Sequence, residues 1–338
     1  MPKNPLLILK NIVKKLTNKM ESIMKRKITI IGAGAVGSTI GYLLVAQGTA
    51  SEVVFIDVNN EKALGEAMDI YQGTPFLNPA IVRAGSYEDA KGSDIVIITS
   101  GVARKPGQTR IDLAQINVNI IKSIAPQITA VCPDSLYVIV ANPVDVLTYA
   151  FHKATNIPAN RIIGSGTSLD TARLRTRLSE IYKVSPMQVD ANVLGEHGDT
   201  SFVPWSEVKI AGVNIDEYDK VITNPEMQVE AYDKEEVAEY IRKSGGIIIS
   251  RKGATYNGVA AAVAYICKCL YSGVDTVVCV SVLLKGEYGI EDVCISIPCV
   301  LGTEGIKTTL TPTLTDEEVE KLVASADAMK SVITQVNL

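Results

Sequence analysis

The stretch KITIIGAGAVGSTIGYLL, residues 27 to 44, places a continuous apolar run, Ile28 to Ile31, directly before a glycine turn and then an apolar pattern at helical spacing. A strand with no polar alternation is buried on both faces, so this order begins a βαβ unit and commits the chain to an α/β sheet. Gly32, Gly34 and Gly37 form GxGxxG across the turn. Glycines at that spacing allow a tight turn, close approach of a pyrophosphate to the backbone, and packing of the following helix. Asp57 ends the next apolar run, VVFID, about 20 residues further on, where a carboxylate accepts hydrogen bonds from an adenosine ribose. Its charge repels a 2'-phosphate, so the pattern implies NAD rather than NADP.

Further apolar runs, DIVIITSG and LYVIVANP, follow at helix-length intervals and read as buried parallel strands. From about Gly164 the pattern changes to a long charged helix, LDTARLRTRLSEIYKV, and then to short alternating runs such as SEVKIAGVNI and GEYGIEDVCISIPCVLG. We expect three parts: a basic amphipathic extension over 1–25, a Rossmann-type parallel-sheet domain over 26–163, and an α+β substrate domain over 164–338. The last helix, TDEEVEKLVASADAMKSVITQV, is capped at Thr315 or Asp316.

A hydrophobic content of 47% supports a sizeable core, while a net charge of -4 gives no sign of the basic face that a nucleic-acid partner needs. The six cysteines lie in apolar runs without CxxC pairs and read as reduced, buried side chains. With only two histidines, a His/Cys zinc site is not expected, and the default reading is cytoplasmic and metal-free. The first 26 residues repeat lysine among Leu, Ile and Val, with Met20 and Met24 as later candidate starts. Their apolar run, Leu6 to Leu9, is too short to cross a bilayer, so an oligomer arm or a disordered extension is expected over a membrane contact.

His197 sits between Gly195 and Gly198 in NVLGEHGDTSFVPWS. An imidazole that exchanges a proton near neutral pH needs an acceptor on its other nitrogen, and Asp170 in GSGTSLDTARLR is the candidate. Asp170 and Arg173 are spaced i and i+3, so a plain intrahelical ion pair worth about 0.3 kcal/mol competes with the functional reading. Residues 103 to 110, ARKPGQTR, carry Arg104 and Arg110 with no acid between them.

Together, GAGAVG, Asp57, TSGVARKPGQTR, ANPVD, GSGTSLDTARLR, GEHGDTSFVPWS and RKGATYNGVA resemble the L-lactate and L-malate dehydrogenase family over roughly residues 26 to 338. The resemblance implies an NAD-dependent oxidoreductase of 2-hydroxy acids that assembles as a homodimer or homotetramer. It makes His197 the acid/base, Asp170 its partner, Arg173 the grip on the substrate's C1 carboxylate, and Arg110 the cation that polarises the carbonyl from a closing loop hinged at Gly107. Asn142 falls near the carbonyl and nicotinamide. Ala35, Val36, Thr99 and Gly101 join Gly32, Gly34, Gly37 and Asp57 as cofactor contacts. His152 matches nothing and reads as an ordinary surface or partly buried histidine.

The substrate is left between two members of the family. Arg104 occupies the position that meets the group beyond the reacting carbon, where arginine resembles malate enzymes. Glu196, the GSGT lead-in to Asp170, and Thr255 resemble lactate enzymes, and chain-wide resemblance favours L-lactate and pyruvate metabolism. Asp190 stands where enzymes activated by fructose-1,6-bisphosphate carry histidine, so no such activation is expected although Arg175 is present. A non-catalytic NAD-binding module, another Rossmann dehydrogenase and a flavin protein are the rival classes.

Overall fold

The computed structural model describes residues 26–103, 107–224, 226, 228–229 and 231–338. The amphipathic extension and Arg104 lie outside the described residues. Strands β1 (Lys27–Ile31), β2 (Glu52–Ile56), β3 (Ile81–Ala84), β4 (Ile95–Ile98), β5 (Leu136–Ile139) and β6 (Ile162–Gly164) are all parallel, in the spatial order β3-β2-β1-β4-β5-β6. Every residue of β4 and β5 is buried, as continuous runs of Ile, Val and Leu require when helices cover both faces. The helices that do so include α1 (Ala35–Ala46), α2 (Asn60–Gly73), α3 (Arg110–Val131) and α4 (Val144–Ala154). The chain leaves β1 towards β2 on one side and later returns to place β4 on the other. That reversal opens a crevice at the carboxyl ends of β1 and β4, the position where doubly wound sheets bind ligands.

The carboxyl-terminal half does not build a separate main sheet. Strands β10 (Thr276–Lys285), β11 (Glu291–Gly302) and β12 (Gly305–Thr309) continue the same sheet in antiparallel fashion, joined to it by β10 against β6 at Ser281 and Gly164. A short sheet of β7 (Val189–Asp190), β8 (Lys209–Ile210) and β9 (Val213–Asn214) stands apart. It packs with Leu174, Leu178 and Tyr182 of α5 (Ser168–Tyr182) and Ile241 of α6 (Lys234–Lys252) into a second, smaller core. Helices α7 (Asn257–Tyr271) and α8 (Asp316–Gln335) complete the described elements used below. Thr315 caps α8 and Glu318 closes the capping box, one of the two caps expected from sequence. All six cysteines are free and buried.

Two elements are pinned for the site. The start of α5 is held to the antiparallel strands, because the Ser296 hydroxyl receives the Thr167 N–H at 3.0 Å and the Ser168 hydroxyl donates to the Cys279 carbonyl at 2.7 Å. The 194–202 loop is bolted on three sides. Gly195 exchanges backbone hydrogen bonds with Ser296 of β11, Ser325 of α8 accepts the Glu196 N–H at 2.8 Å, and Asp145 of α4 accepts the His197 N–H at 2.7 Å. Gly195 has φ 89°, and a Cβ there would meet the Ser325 hydroxyl at 2.6 Å, so no other residue keeps the loop this close to α8.

Candidate active site

The turn between β1 and α1 forms one wall of a long cleft lined by Gly32, Gly34, Asp57, Thr99 and Gly101, with Ile116 and Ile120 of α3 opposite. Gly32 has φ 108°, and a Cβ on Gly37 would sit 1.9 Å from the Gly32 carbonyl oxygen, so both positions exclude a side chain. Gly34 faces open space, with no atom within 4 Å of a notional Cβ. Ala35 and Val36 open α1 immediately afterwards, so the free N–H groups of that helix end beside the cleft. Asp57 uses one carboxylate oxygen to accept the Ala33 N–H at 2.6 Å and the other to accept the Asn59 N–H at 2.8 Å. Each oxygen retains a lone pair for a further donor, so the residues present fit a dinucleotide with an unphosphorylated ribose.

A second pocket is lined by Val36, Asn142, Asp170, Arg173, His197, Asp199, Arg242, Gly245, Gly246 and Thr255 among others. Val36 stands in the first turn of α1, two residues beyond Gly34 of the cofactor cleft, so the pocket lies next to that cleft. Asp170 lies in the first turn of α5 and is 4% exposed. One oxygen accepts from the Arg173 guanidinium at 2.8 Å while the other lies 2.5 Å from His197 Nδ1. The intrahelical ion pair and the histidine partnership therefore exist together on one carboxylate. The His197 side chain keeps 25% of its surface exposed, towards the pocket.

The electrostatics follow from those contacts. Burial opposes an imidazolium at His197, but the Asp170 carboxylate outweighs it, aided by Asp145 and opposed by Arg173, and the pKa is raised above its ordinary value. Burial likewise opposes the charge on Asp170, yet His197 and Arg173 hold its carboxyl below the usual range. The pair is thus set to carry a proton on the imidazole and none on the carboxylate.

Arg110 is the first residue of α3, after the Thr109 cap, rather than within the loop as its sequence context implied. Its guanidinium pairs with Asp199, two residues beyond His197, with both side chains largely exposed. Asn142 lines the pocket, and its carbonyl accepts from Asn117 at 2.6 Å. Asp190 is exposed on β7, and Arg175 donates to the Ala191 carbonyl at 3.0 Å. His152 is partly buried on α4, with Nε2 buried and lacking a partner.

Sequence reasoning missed Asp145, Asp199, Arg242 and the glycine pair at 245 and 246. Asp145 closes the ANPVD motif, and a carboxylate inside so apolar a segment was the available signal. Nothing in the periodicity of α6 marks Arg242, Gly245 and Gly246 as pocket-facing.

A switch-point cleft for a dinucleotide beside a His–Asp–Arg pocket defines the class as a nucleotide-dependent α/β oxidoreductase. The chain belongs to the lactate/malate dehydrogenase family: residues 26–164 match its NAD binding domain and residues 167–337 its alpha/beta C-terminal domain. It is 41% identical over 311 residues to an L-lactate dehydrogenase of Clostridium botulinum, covering 92% of this chain and 97% of that one. It is 42% identical over 313 residues to an L-lactate dehydrogenase of Acetivibrio thermocellus, covering 93% and 98%. Among solved structures, a lactate dehydrogenase from a Medee basin deep-sea metagenome library superposes with TM-score 0.88 at 35% identity, covering 92% and 98%. The minor L-lactate dehydrogenase of Enterococcus mundtii, in a ligand-bound form, gives 0.87 at 36%, covering 93% and 99%.

Proposed function

We propose that this chain interconverts an L-2-hydroxy acid and its 2-oxo acid with NAD, pyruvate and L-lactate being the favoured pair. The observation that carries the reading is Asp170 joined to both His197 and Arg173 in the pocket beside the cofactor cleft. The nicotinamide, when bound, supplies or accepts the hydride. Arg173 offers its remaining guanidinium N–H groups to the substrate carboxylate, which orients the reacting carbon. His197 gives its proton to the carbonyl oxygen during reduction and takes it back during oxidation, with Asp170 fixing the ring and steadying its charged form. Arg110 leaves Asp199 to face the developing negative charge on that oxygen. Thr255 narrows the side of the pocket facing the rest of the substrate.

Homologues acting on lactate favour pyruvate, whereas Arg104 favours oxaloacetate by offering a cation to a second carboxylate. Comparing kcat/KM for NADH oxidation with the two acids tests the reading. Preference for pyruvate supports it, preference for oxaloacetate replaces it with a malate enzyme, and turnover of neither overturns it. Fructose-1,6-bisphosphate is expected to leave the rate unchanged. The division near residue 164, a cytoplasmic location and a homotetramer belong to the same proposal; among the described residues no helix is long and apolar enough to cross a membrane.

A further inference from the structure

Asp145 lies in the first turn of α4, 3% exposed, and does not line the substrate pocket. One carboxylate oxygen accepts the His197 peptide N–H at 2.7 Å. Its other oxygen is buried beside the equally buried hydroxyl of Ser281 on β10, and among the described residues neither atom makes a well-formed hydrogen bond. An asparagine would accept the same N–H without burying a charge, so holding the loop does not by itself explain a carboxylate here. The groups around it are His197 and Glu196 on the loop, Ser281 and Cys279 on β10, and Cys294 on β11. From α5, Asp170 and Arg173 act on the imidazole with opposite signs. Asp145 is a further anion that favours the imidazolium.

We propose that Asp145 is a positioning residue for His197, holding its loop by the peptide N–H and acting through space as a second anion in the field of the imidazolium. This rests on the reading of His197 as the acid/base group. Burial pushes the Asp145 carboxyl up to about 6, while the His197 N–H and the Ser281 hydroxyl pull it down. As pH falls through that value the protein therefore gives up the second anion, and His197 holds its proton less firmly.

The chain has two histidines, so the ring Cε1–H resonances of the full protein give two resolvable NMR titrations, assigned through loss of one in His152→Asn. In Asp145→Asn the His197 midpoint is expected to fall by about half a pH unit or more, the order of effect of removing a nearby charge. The alkaline limb of kcat/KM for 2-oxo acid reduction moves down with it. The wild-type His197 resonance is also expected to show a second, smaller inflection on the acid side that disappears in the variant. An unmoved midpoint in a folded Asp145→Asn protein overturns the proposal. If that variant does not fold, a wild-type titration without the second inflection overturns it equally. Absence of turnover in the wild-type enzyme would instead defeat the dehydrogenase reading and leave the titration result standing.

Discussion

His197 and His152 are two imidazoles on one scaffold, each held against burial, and they are driven in opposite directions. His197 meets Asp170 at 2.5 Å with Asp145 behind its peptide, and its pKa rises. Among the described residues His152 has no carboxylate partner. Burial lowers its pKa to about 4, and Lys285 and Lys153 add to the effect. Desolvation disfavours the cation at both sites, so the neighbouring charges alone decide which histidine keeps a proton at neutral pH. The consequences for stability are opposite as well. His197 contributes stability below its unfolded pKa near 6.5, lost as pH rises through its folded value. His152 adds no pH-dependent cost while neutral and costs increasingly as pH falls from about 6.5 towards 4.

The sharpest way to break this contrast is His197→Asn, which is expected to lower kcat/KM by roughly 10²–10⁴, the usual worth of general acid–base catalysis. His152→Asn is expected to leave kcat/KM near wild type, and comparable losses in both variants would erase the distinction. Asp170→Asn should cost about 10²-fold in reduction at pH 7.5. It should also move the alkaline limb to lower pH, because the anion that keeps His197 protonated is gone; a drop in kcat/KM without that movement would mean Asp170 acts only by geometry.

On the other histidine, urea denaturation of His152→Leu at pH 7 and pH 4.5 is expected to show less acid destabilisation than wild type, by up to roughly 3 kcal/mol. Equal loss in both proteins would mean His152 takes up its proton without cost. The smallest effect lies in the wall facing His197. Gly246 is within α6, lines the pocket, and has no atom within 4 Å of a notional Cβ. Gly246→Ala is therefore expected to stabilise the helix by about 1 kcal/mol, read as a higher Tm. A lower Tm would reveal packing that the open space conceals.

Legibility in the sequence followed the same division. The cofactor wall comes from one short segment, Gly32 to Asp57, whose glycines and strand-end carboxylate act through backbone geometry, so local order was enough to read it. The pocket around His197 draws on Asn142, Asp170, His197 and α6, and family resemblance supplied what spacing left open at Asp170 and Arg173. Sequence context puts Arg110 in its loop, but the Thr109 cap and its Asp112 partner start α3 there, and the guanidinium pairs with Asp199.

By itself the sequence determined the buried parallel strands, the glycine turn and the residue types able to move a proton, because apolar periodicity and backbone freedom are local properties. Only the tertiary structure decided that the antiparallel strands extend the first sheet, that one carboxylate serves both Arg173 and His197, and that Asp145 lies behind the loop. Those outcomes depend on charges and hydrogen bonds between segments far apart in the chain, whose strength is set by distance and burial rather than by order along the backbone.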